Sequence, residues 1–439
     1  MRPPWGLHLP GNGWDVLADR EPPVRTTSVV VTHFEQPDEL ARTLHALTRQ
    51  TLPPDEVVVA DDGSREPPRV PRGTRLVRQD DQGFRAAAAR DLGAAAATGD
   101  VLVFLDADTT PEPGLVEALT CLPRLQPDVL VVGRRRHADL TGVPVDADVE
   151  EAGPAHELPE PGWLRDAYAA SRDLLDADDL SSRFVISAVL ACSRWWYDEV
   201  GGFDRSFTAY GGEDWELAHR SWLAGGLVAH APDAVAWHDG PDAGAVPRGS
   251  AAVESAELAA RVGVPGLAPH GLLGLRGRPL PVDRLLAPSP DLDPRELLLV
   301  VDAALHADPQ LHVAVDDDQA ALLAGEPRLL RLAGRTALEA ALASPARRLV
   351  ELHRPRLLAP QEWRDLLLGA TGDPARLRLG DLATATSLRL VRRARRHGAD
   401  PDEVTVATER LGGTPLPDGL TLGAWWGGWA AGAPRTPLS

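Results

Sequence analysis

Three short apolar runs constrain the fold more than any other feature of this chain: Ser28-Val-Val-Val-Thr32, Glu56-Val-Val-Val-Ala60 and Val101-Leu-Val-Phe-Leu105. Runs this short and this continuously apolar read as strands buried on both faces, as in a parallel sheet covered by helices. Between the first two, Pro37 and Asp38 stand where helices begin, and Leu40, Leu44 and Leu47 recur at helical spacing. Arg75-Leu-Val-Arg78 reads as a further short strand, and the alanine-rich stretch from Gly83 to Gly93 as a helix of high propensity. Residues 112–122 follow as a helix with Leu115, Leu119 and Leu122 on one face. Strand and helix alternating in this order imply parallel crossovers, which open every strand's carboxyl end onto the same crevice.

Those strand ends are acidic. The second delivers Asp61, Asp62, Gly63 and Ser64 to a tight turn, and the third ends in Asp106 and Asp108, one residue apart. Paired carboxylates at a strand end suit a divalent cation carrying a phosphorylated ligand, because hard cations choose oxygen. Both patterns are also ordinary turn chemistry, so their weight comes from context.

Composition removes several function classes. The chain has no lysine, which excludes a P-loop lysine or a Schiff base. A net charge of -19 over 439 residues argues against nucleic acid or anionic membrane as partner. Cys121 and Cys192 make no disulfide framework, and the Pro- and Gly-rich start is unlike a signal peptide. With no apolar stretch of membrane-spanning length, the expectation is a cytoplasmic enzyme without a transmembrane segment; peripheral attachment at the inner membrane face and homo-oligomerisation stay open.

Further motifs extend the pattern over more than 200 residues: Gly83-Phe84-Arg85, Ala89 to Gly93, Leu105 to Asp108 with Pro111, Gly201 to Asp204, Gly211-Gly-Glu-Asp-Trp-Glu-Leu217, and Trp237-His238. In order and spacing, residues 26 to about 240 resemble a family-2 glycosyltransferase of the GT-A nucleotide-diphospho-sugar transferase fold. The stretch Gly83 to Gly93 is most similar to bacterial chondroitin-type polymerases and polypeptide N-acetylgalactosaminyltransferases, except that Asp91 stands where that branch commonly has Asn.

The resemblance implies a nucleoside-diphosphate sugar donor, UDP by preference, and an inverting transfer to a hydroxyl of a glycan, lipid-linked or small-molecule acceptor. It makes Asp61 and Asp62 nucleotide contacts, with Arg85 and Arg90 reaching the diphosphate or the acidic strand tips. Asp108 and His238 become ligands of Mn²⁺ or Mg²⁺, while Asp106 either shares the ion or binds the ribose. Asp214 matches the catalytic base and Glu213 is its runner-up, although acids here also suit a helix N-terminus. Five of the 12 tryptophans fall between Trp195 and Trp237. Of these, Trp215 is the expected acceptor platform, while Trp196, Trp222 and Trp237 are expected in the core.

Four segments are expected: an N-terminal extension over 1–25, the α/β catalytic domain with a mostly parallel sheet over 26–245, a linker over 246–292, and a smaller C-terminal α/β domain over 293–439. In the last, Glu296 to Val301, Leu311 to Asp318 and Arg348 to His353 read as strands, with helices at Arg335 to Ala341 and Trp363 to Leu368. A degenerate second GT-A copy and ordinary α/β resemblance both fit. Leu352-His-Arg-Pro355 stands where Leu105-Asp-Ala-Asp108 would be, so a copy could not hold a cation in the same way. The tail Trp425-Trp-Gly-Gly-Trp429 reads as a glycan contact or a packing segment. Two other classes compete: an inactive carbohydrate- or nucleotide-sugar-binding protein, and a nucleotidyltransferase, which would carry a Gly-rich basic loop where Thr32 to Pro37 stands.

Overall fold

The computed structural model describes residues 2–208, 211–241, 258, 262, 282–308, 310–368, 375–400, 404–406 and 414–415. Two compact units divide the chain, Met1–Leu275 and Arg276–Ser439. The first runs β1 (Thr27–His33), α1 (Pro37–Leu47), β2 (Glu56–Asp61), β3 (Arg75–Arg78), α2 (Ala86–Ala96), β4 (Val101–Asp106), β5 (Thr109–Pro111), α3 (Leu115–Leu125) and β6 (Val129–Ala138). It continues through α4 (Val149–Ala155), β7 (Glu157–Leu158), α5 (Gly162–Ala170), β8 (Val189–Ser193), α6 (Arg194–Val200), α7 (Glu213–Leu223) and β9 (Leu227–Asp239). The expected α/β class with a mostly parallel sheet is what this unit shows.

Its strands lie in the order β3-β2-β1-β4-β8-β6-β9-β5, with β7 added to β6. β1 is parallel to β2 and β4, β8 is antiparallel to β4 and β6, and β6 is parallel to β9. The carboxyl ends of β1, β2, β4, β6 and β9 therefore share one edge, where β8 enters with Val189 opposite Leu105.

The β-branched runs are buried on both faces, as their composition dictates. Along β1, Val30 faces a cluster with Phe104, Trp196 and Leu217, while Val29 and Val31 face one with Leu40, Leu115 and Leu119. The alanines of α2 let it approach the sheet closely: a side chain on Gly93 would collide with Val30. Trp196 and Trp237 are fully buried and Trp222 is nearly so.

Residues 1–25, expected as an extension, are integral to this unit. Leu9 and Leu17 belong to its core, and buried Asn12 donates to the carbonyls of Leu174 and Val228 and accepts from the Val228 amide. Short apolar spacing in a Pro- and Gly-rich segment gave no periodic signal.

The second unit contains β10 (Arg284–Pro288), β11 (Leu311–Val315), β12 (Leu329–Arg331), β13 (Arg348–Leu352), β14 (Arg356–Leu357), β15 (Arg376–Leu379), β16 (Ala383–Ser387), β17 (Val404–Val406) and β18 (Thr414–Pro415). Its sheet order is β12-β11-β10-β13-β16-β15-β17. As in the first unit, the first strand is parallel to the second and fourth, and one strand runs antiparallel between two others. The last strand is parallel to its neighbour, and β14 pairs antiparallel with β18 as β5 does with β9.

Two expectations fail in this half. Glu296 to Val301 is not a strand but part of a helix over Pro294–Ala307, started by Pro294 and a capping box between Asp293 and Glu296. An apolar run of that length carries no decisive period, and the cap outweighs it. The actual first strand, β10, lies inside the 246–292 stretch expected as linker. Its charged start hid it: Arg284 is buried against Asp283 and Asp308, and Arg347 also binds Asp283. The Trp425–Trp429 tail and most of the expected linker lie outside the described residues.

Candidate active site

The acidic strand ends meet on the shared edge. At the end of β4, the Asp106 carboxylate accepts from Arg90 Nη2 at 2.7 Å, and the same guanidinium donates through Nη1 to Glu213 Oε1 at 2.8 Å. Arg90, on α2, is buried, and its two acidic partners outweigh burial and hold it firmly protonated. One buried cation thus links the Asp-x-Asp strand end to the first turn of α7. Glu213 Oε2 is buried without a hydrogen-bond partner.

Asp214, the next residue, takes a different environment. Its oxygens accept from the amides of Trp215 at 2.8 Å and Ser187 at 3.3 Å. Burial, then the Glu213 charge, push its carboxyl up to about 7, with Arg90 opposing. Gly211 and Gly212 precede it at φ of 88° and 93°, a left-handed pair that turns the chain into α7 and that side-chain-bearing residues adopt at a cost. Of the two candidates, Glu213 is tied to Arg90 and Asp214 is the one with a raised proton affinity near neutral pH.

Asp108 and His238 come together through the β5–β9 ladder, in which Thr109 faces His238. His238 Nε2 lies 3.7 Å from Asp108 Oδ2, and both side chains are one-fifth exposed. His238 Nδ1 faces the Gly240 carbonyl at 3.3 Å. That oxygen only accepts, so the proton of a neutral ring sits on Nδ1, leaving an Nε2 lone pair opposite a carboxylate. Two acceptors facing each other across this gap favour a cation between them.

Asp106 does not join that pair in the structure, because Arg90 engages it, although its side chain stays 29% exposed. Among the described residues, no three His, Cys, Asp or Glu side chains gather closely enough to hold a metal by themselves.

The first acidic turn is built inward. Asp61 is fully buried, accepting from Ser64, from Arg78 Nε at 2.8 Å and from His33 Nδ1 at 2.7 Å. Burial pushes its carboxyl up, but those donors outweigh it and hold it below the usual range. Asp62 is shifted the other way, raised by burial despite bonds from Gln79 and the Arg85 amide. Both expected nucleotide contacts therefore brace the turn from inside. Arg85 is half-buried, its guanidinium on Gln82 and the Arg205 carbonyl.

Sequence reasoning missed three contributors. Gln36 donates through Nε2 to Asp108 Oδ2 at 2.9 Å, and its amide donates to His33 Nε2 at 3.3 Å, so Asp61, His33, Gln36 and Asp108 form one hydrogen-bonded series. His137 on β6 packs beside His238, ring centroids 4.9 Å apart, as their register pairing requires. Trp163 on α5 lies edge-to-face on Trp215 at 6.4 Å. Only Gln36, just before a helix start, carried even a faint positional signal.

Asp91 has a role of its own. It accepts from the Tyr197 hydroxyl at 2.9 Å and pairs with Arg205, tying α2 to the turn after α6.

Comparison with known sequences places the chain among glycosyltransferase-like proteins. The profile of Glycosyl transferase family 2 matches residues 28–148, and that of the N-terminal domain of galactosyltransferase matches 175–236. Hyaluronan synthase from Pasteurella multocida is 29% identical over 238 residues, which cover 49% of this chain and 24% of that protein. Validoxylamine A glucosyltransferase from Streptomyces hygroscopicus subsp. limoneus is 33% identical over 217 residues, 44% of this chain and 47% of that protein. The chain thus matches less than half the length of either relative. The solved structure of GalNAc-T7 with UDP, GalNAc and Mn²⁺ aligns at a TM-score of 0.37 and 18% identity, covering 52% of this chain and 45% of that one. No helix among the described residues is long and apolar enough to cross a membrane. Residues 28–148 thus match the family-2 glycosyltransferases, and the first unit is similar in sequence to hyaluronan and chondroitin synthases and to polypeptide N-acetylgalactosaminyltransferases.

Proposed function

We propose that this chain transfers a sugar from a nucleoside-diphosphate sugar, UDP being the nucleotide the resemblance implies, to an acceptor hydroxyl with inversion at the anomeric carbon. The observation that carries this reading is the separation of two chemistries on one edge: the Asp108–His238 pair on one side and Asp214 on the other, linked through Asp106, Arg90 and Glu213.

The facing acceptors of Asp108 and His238 fit a Mn²⁺ or Mg²⁺ ion, whose remaining positions would fall to the diphosphate and water. Bound there, the ion would stabilise negative charge on the departing nucleoside diphosphate. Gln36 orients Asp108, and the inward-braced turn at Asp61 and Asp62 gives the nucleoside a rigid floor. Arg85, whose guanidinium binds Gln82 and the Arg205 carbonyl, would reach the diphosphate from beside that floor.

Asp214 does the proton work. The acceptor oxygen attacks the anomeric carbon as the bond to the diphosphate oxygen breaks, and Asp214 takes the hydroxyl proton during the attack. Two backbone amides hold it in position for this. Direct displacement from the opposite side inverts the centre, and no covalent nucleophile is needed.

The second unit repeats the strand order without an acidic pair, since His353 and Pro355 stand where Asp106 and Asp108 stand. It is read as a degenerate copy serving as scaffold.

The test is calorimetric titration of the full chain with UDP and Mn²⁺, followed by a donor panel. Asp108→Ala should lose metal-dependent binding, and Asp214→Asn should bind donor but not transfer. Full transfer by Asp214→Asn overturns the base assignment; UDP binding indifferent to metal overturns the cation site.

A further inference from the structure

The two units show what this topology needs and what the first has added. In the second unit, β15 and β16 are joined by Gly380, Asp381 and Leu382 alone. In the first, the equivalent strands β6 and β8 are joined by residues 139–188, which carry α4, β7, α5 and a 3-10 turn at Ser181–Phe184. The sheet of the second unit closes without such a segment; in the first, Leu164, Tyr168, Leu174 and Val185 anchor it in the core, and its exposed part remains to be accounted for.

Those contents converge on the first turn of α7. The Ser187 amide holds the Asp214 carboxylate, and the Trp163 ring stands 6.4 Å from Trp215 and 6.3 Å from Phe184. Trp163 is nonetheless 46% exposed, against the residue that follows Asp214. Core packing accounts for Trp196 and Trp237, which are fully buried, but not for an indole left half in water.

The segment is also held under strain. Arg172, Asp173 and Leu174 are consecutive and all left-handed, with φ of 51°, 57° and 67°. Such residues cost on the order of 1–3 kcal/mol each and persist only where the surroundings fix them. Here His230 binds both the carbonyl and the carboxylate of Asp173, and Asn12 binds the Leu174 carbonyl. The Tyr168 ring, on α5 with Trp163, stacks on His230 at 3.7 Å. The fixing points preorganise the helix that carries the exposed indole.

We propose that Trp163 is the acceptor shelf of this site and that the acceptor is a ring polyol, a pyranose or cyclitol, whose C–H face lies on the indole while one hydroxyl points to Asp214. The proposal rests on the glycosyl-transfer reading above. An aromatic face rewards a flat array of C–H bonds, which a six-membered polyol ring offers and an open-chain polyol does not. Trp215, edge-on, fixes the shelf's tilt.

The experiment uses the full chain with Mn²⁺ and UDP, with methyl glucoside, methyl N-acetylglucosaminide and myo-inositol as ring probes and ribitol as the open-chain probe, read by saturation-transfer NMR and tryptophan fluorescence. At least one ring probe should bind the wild-type chain and ribitol should not. Trp163→Ala should weaken that binding about tenfold, Trp163→Phe should retain most of it, and UDP affinity should stay unchanged in both. UDP binding without any ring-probe binding, equal binding of ribitol, or ring binding unaffected in Trp163→Ala would each overturn the shelf while leaving the donor reading intact. A wild-type chain that binds no UDP refutes the donor reading instead, and the ring-probe comparison of wild type with Trp163→Ala still decides the shelf.

Discussion

Arg90 Nη1 sits 2.8 Å from Glu213 Oε1, and this buried pair is the strut between the end of β4 and the helix that carries Asp214, the proposed base. The other arm of the guanidinium holds Asp106, so removing it leaves two carboxylates close together without a counter-charge. Breaking a buried pair by deleting one partner costs about 3–5 kcal/mol. Arg90→Met should therefore lower unfolding free energy by about that amount in urea titration, and Arg90→Met combined with Glu213→Leu should recover part of it. Additive losses in the double variant would show that the two residues do not act as a pair.

The pH dependence follows from Asp214. Its folded carboxyl, raised to about 7, stays protonated where an unfolded aspartate, near 3.9, is already ionised. The sign is that of a raised group: its contribution to stability is full below about 4 and is lost as pH climbs towards 7. Activity runs the opposite way, since only the ionised form accepts a proton. Transfer should rise with pH through an apparent pKa near 7, while Asp214→Asn, inactive, should melt higher than wild type at pH 8 and match it at pH 4. A flat pH–rate profile between 5 and 8 would remove Asp214 as base.

Loss of either member of the proposed metal pair should act on donor binding first. Asp108→Asn and His238→Ala should each weaken Mn²⁺-dependent UDP binding by about a hundredfold, and Gln36→Ala, which only orients Asp108, by about tenfold. Chelation should reduce the wild-type chain to the level of Asp108→Asn. A Gln36→Ala loss equal to that of Asp108→Asn would place Gln36 on the ligand itself.

The first unit was legible because its elements are locally consistent. The β-branched runs, the Pro37 start of α1 and the alanine-rich α2 each state in sequence what the packing then requires. The crossovers bring the acidic strand ends to one edge without further information. What could not be read was the direction of the side chains there. Asp61 looks like a ligand contact and is a buried brace, because His33 and Arg78 are supplied by β1 and β3 and no local pattern announces them. Trp163 was invisible for a related reason: its neighbours Phe184 and Trp215 are distant in sequence. In the second half, β10 begins with Asp283 and Arg284, charges that look like a loop until Asp308 and Arg347 pair with them.

Asp91, which stands where the resemblance implies an asparagine, gives the last prediction. Its Oδ1 accepts from the Tyr197 hydroxyl and its Oδ2 pairs with Arg205, whose side chain is 62% exposed. A solvent-exposed pair contributes about 0–1 kcal/mol, whereas the Tyr197 bond lies where Gly202 passes: a side chain on Gly202 would approach Asp91 Oδ1 to 2.5 Å. An amide oxygen can accept from Tyr197 as well as a carboxylate does, so Asp91→Asn should cost less than about 1 kcal/mol, and that cost should shrink in high salt. Gly202→Ala, at φ of 65° and against the same oxygen, should cost about 1–3 kcal/mol at any salt. Thermal melts of the two variants at low and high ionic strength separate the cases: a salt-independent loss in Asp91→Asn would mean that the hydroxyl, not the arginine, needs the charge.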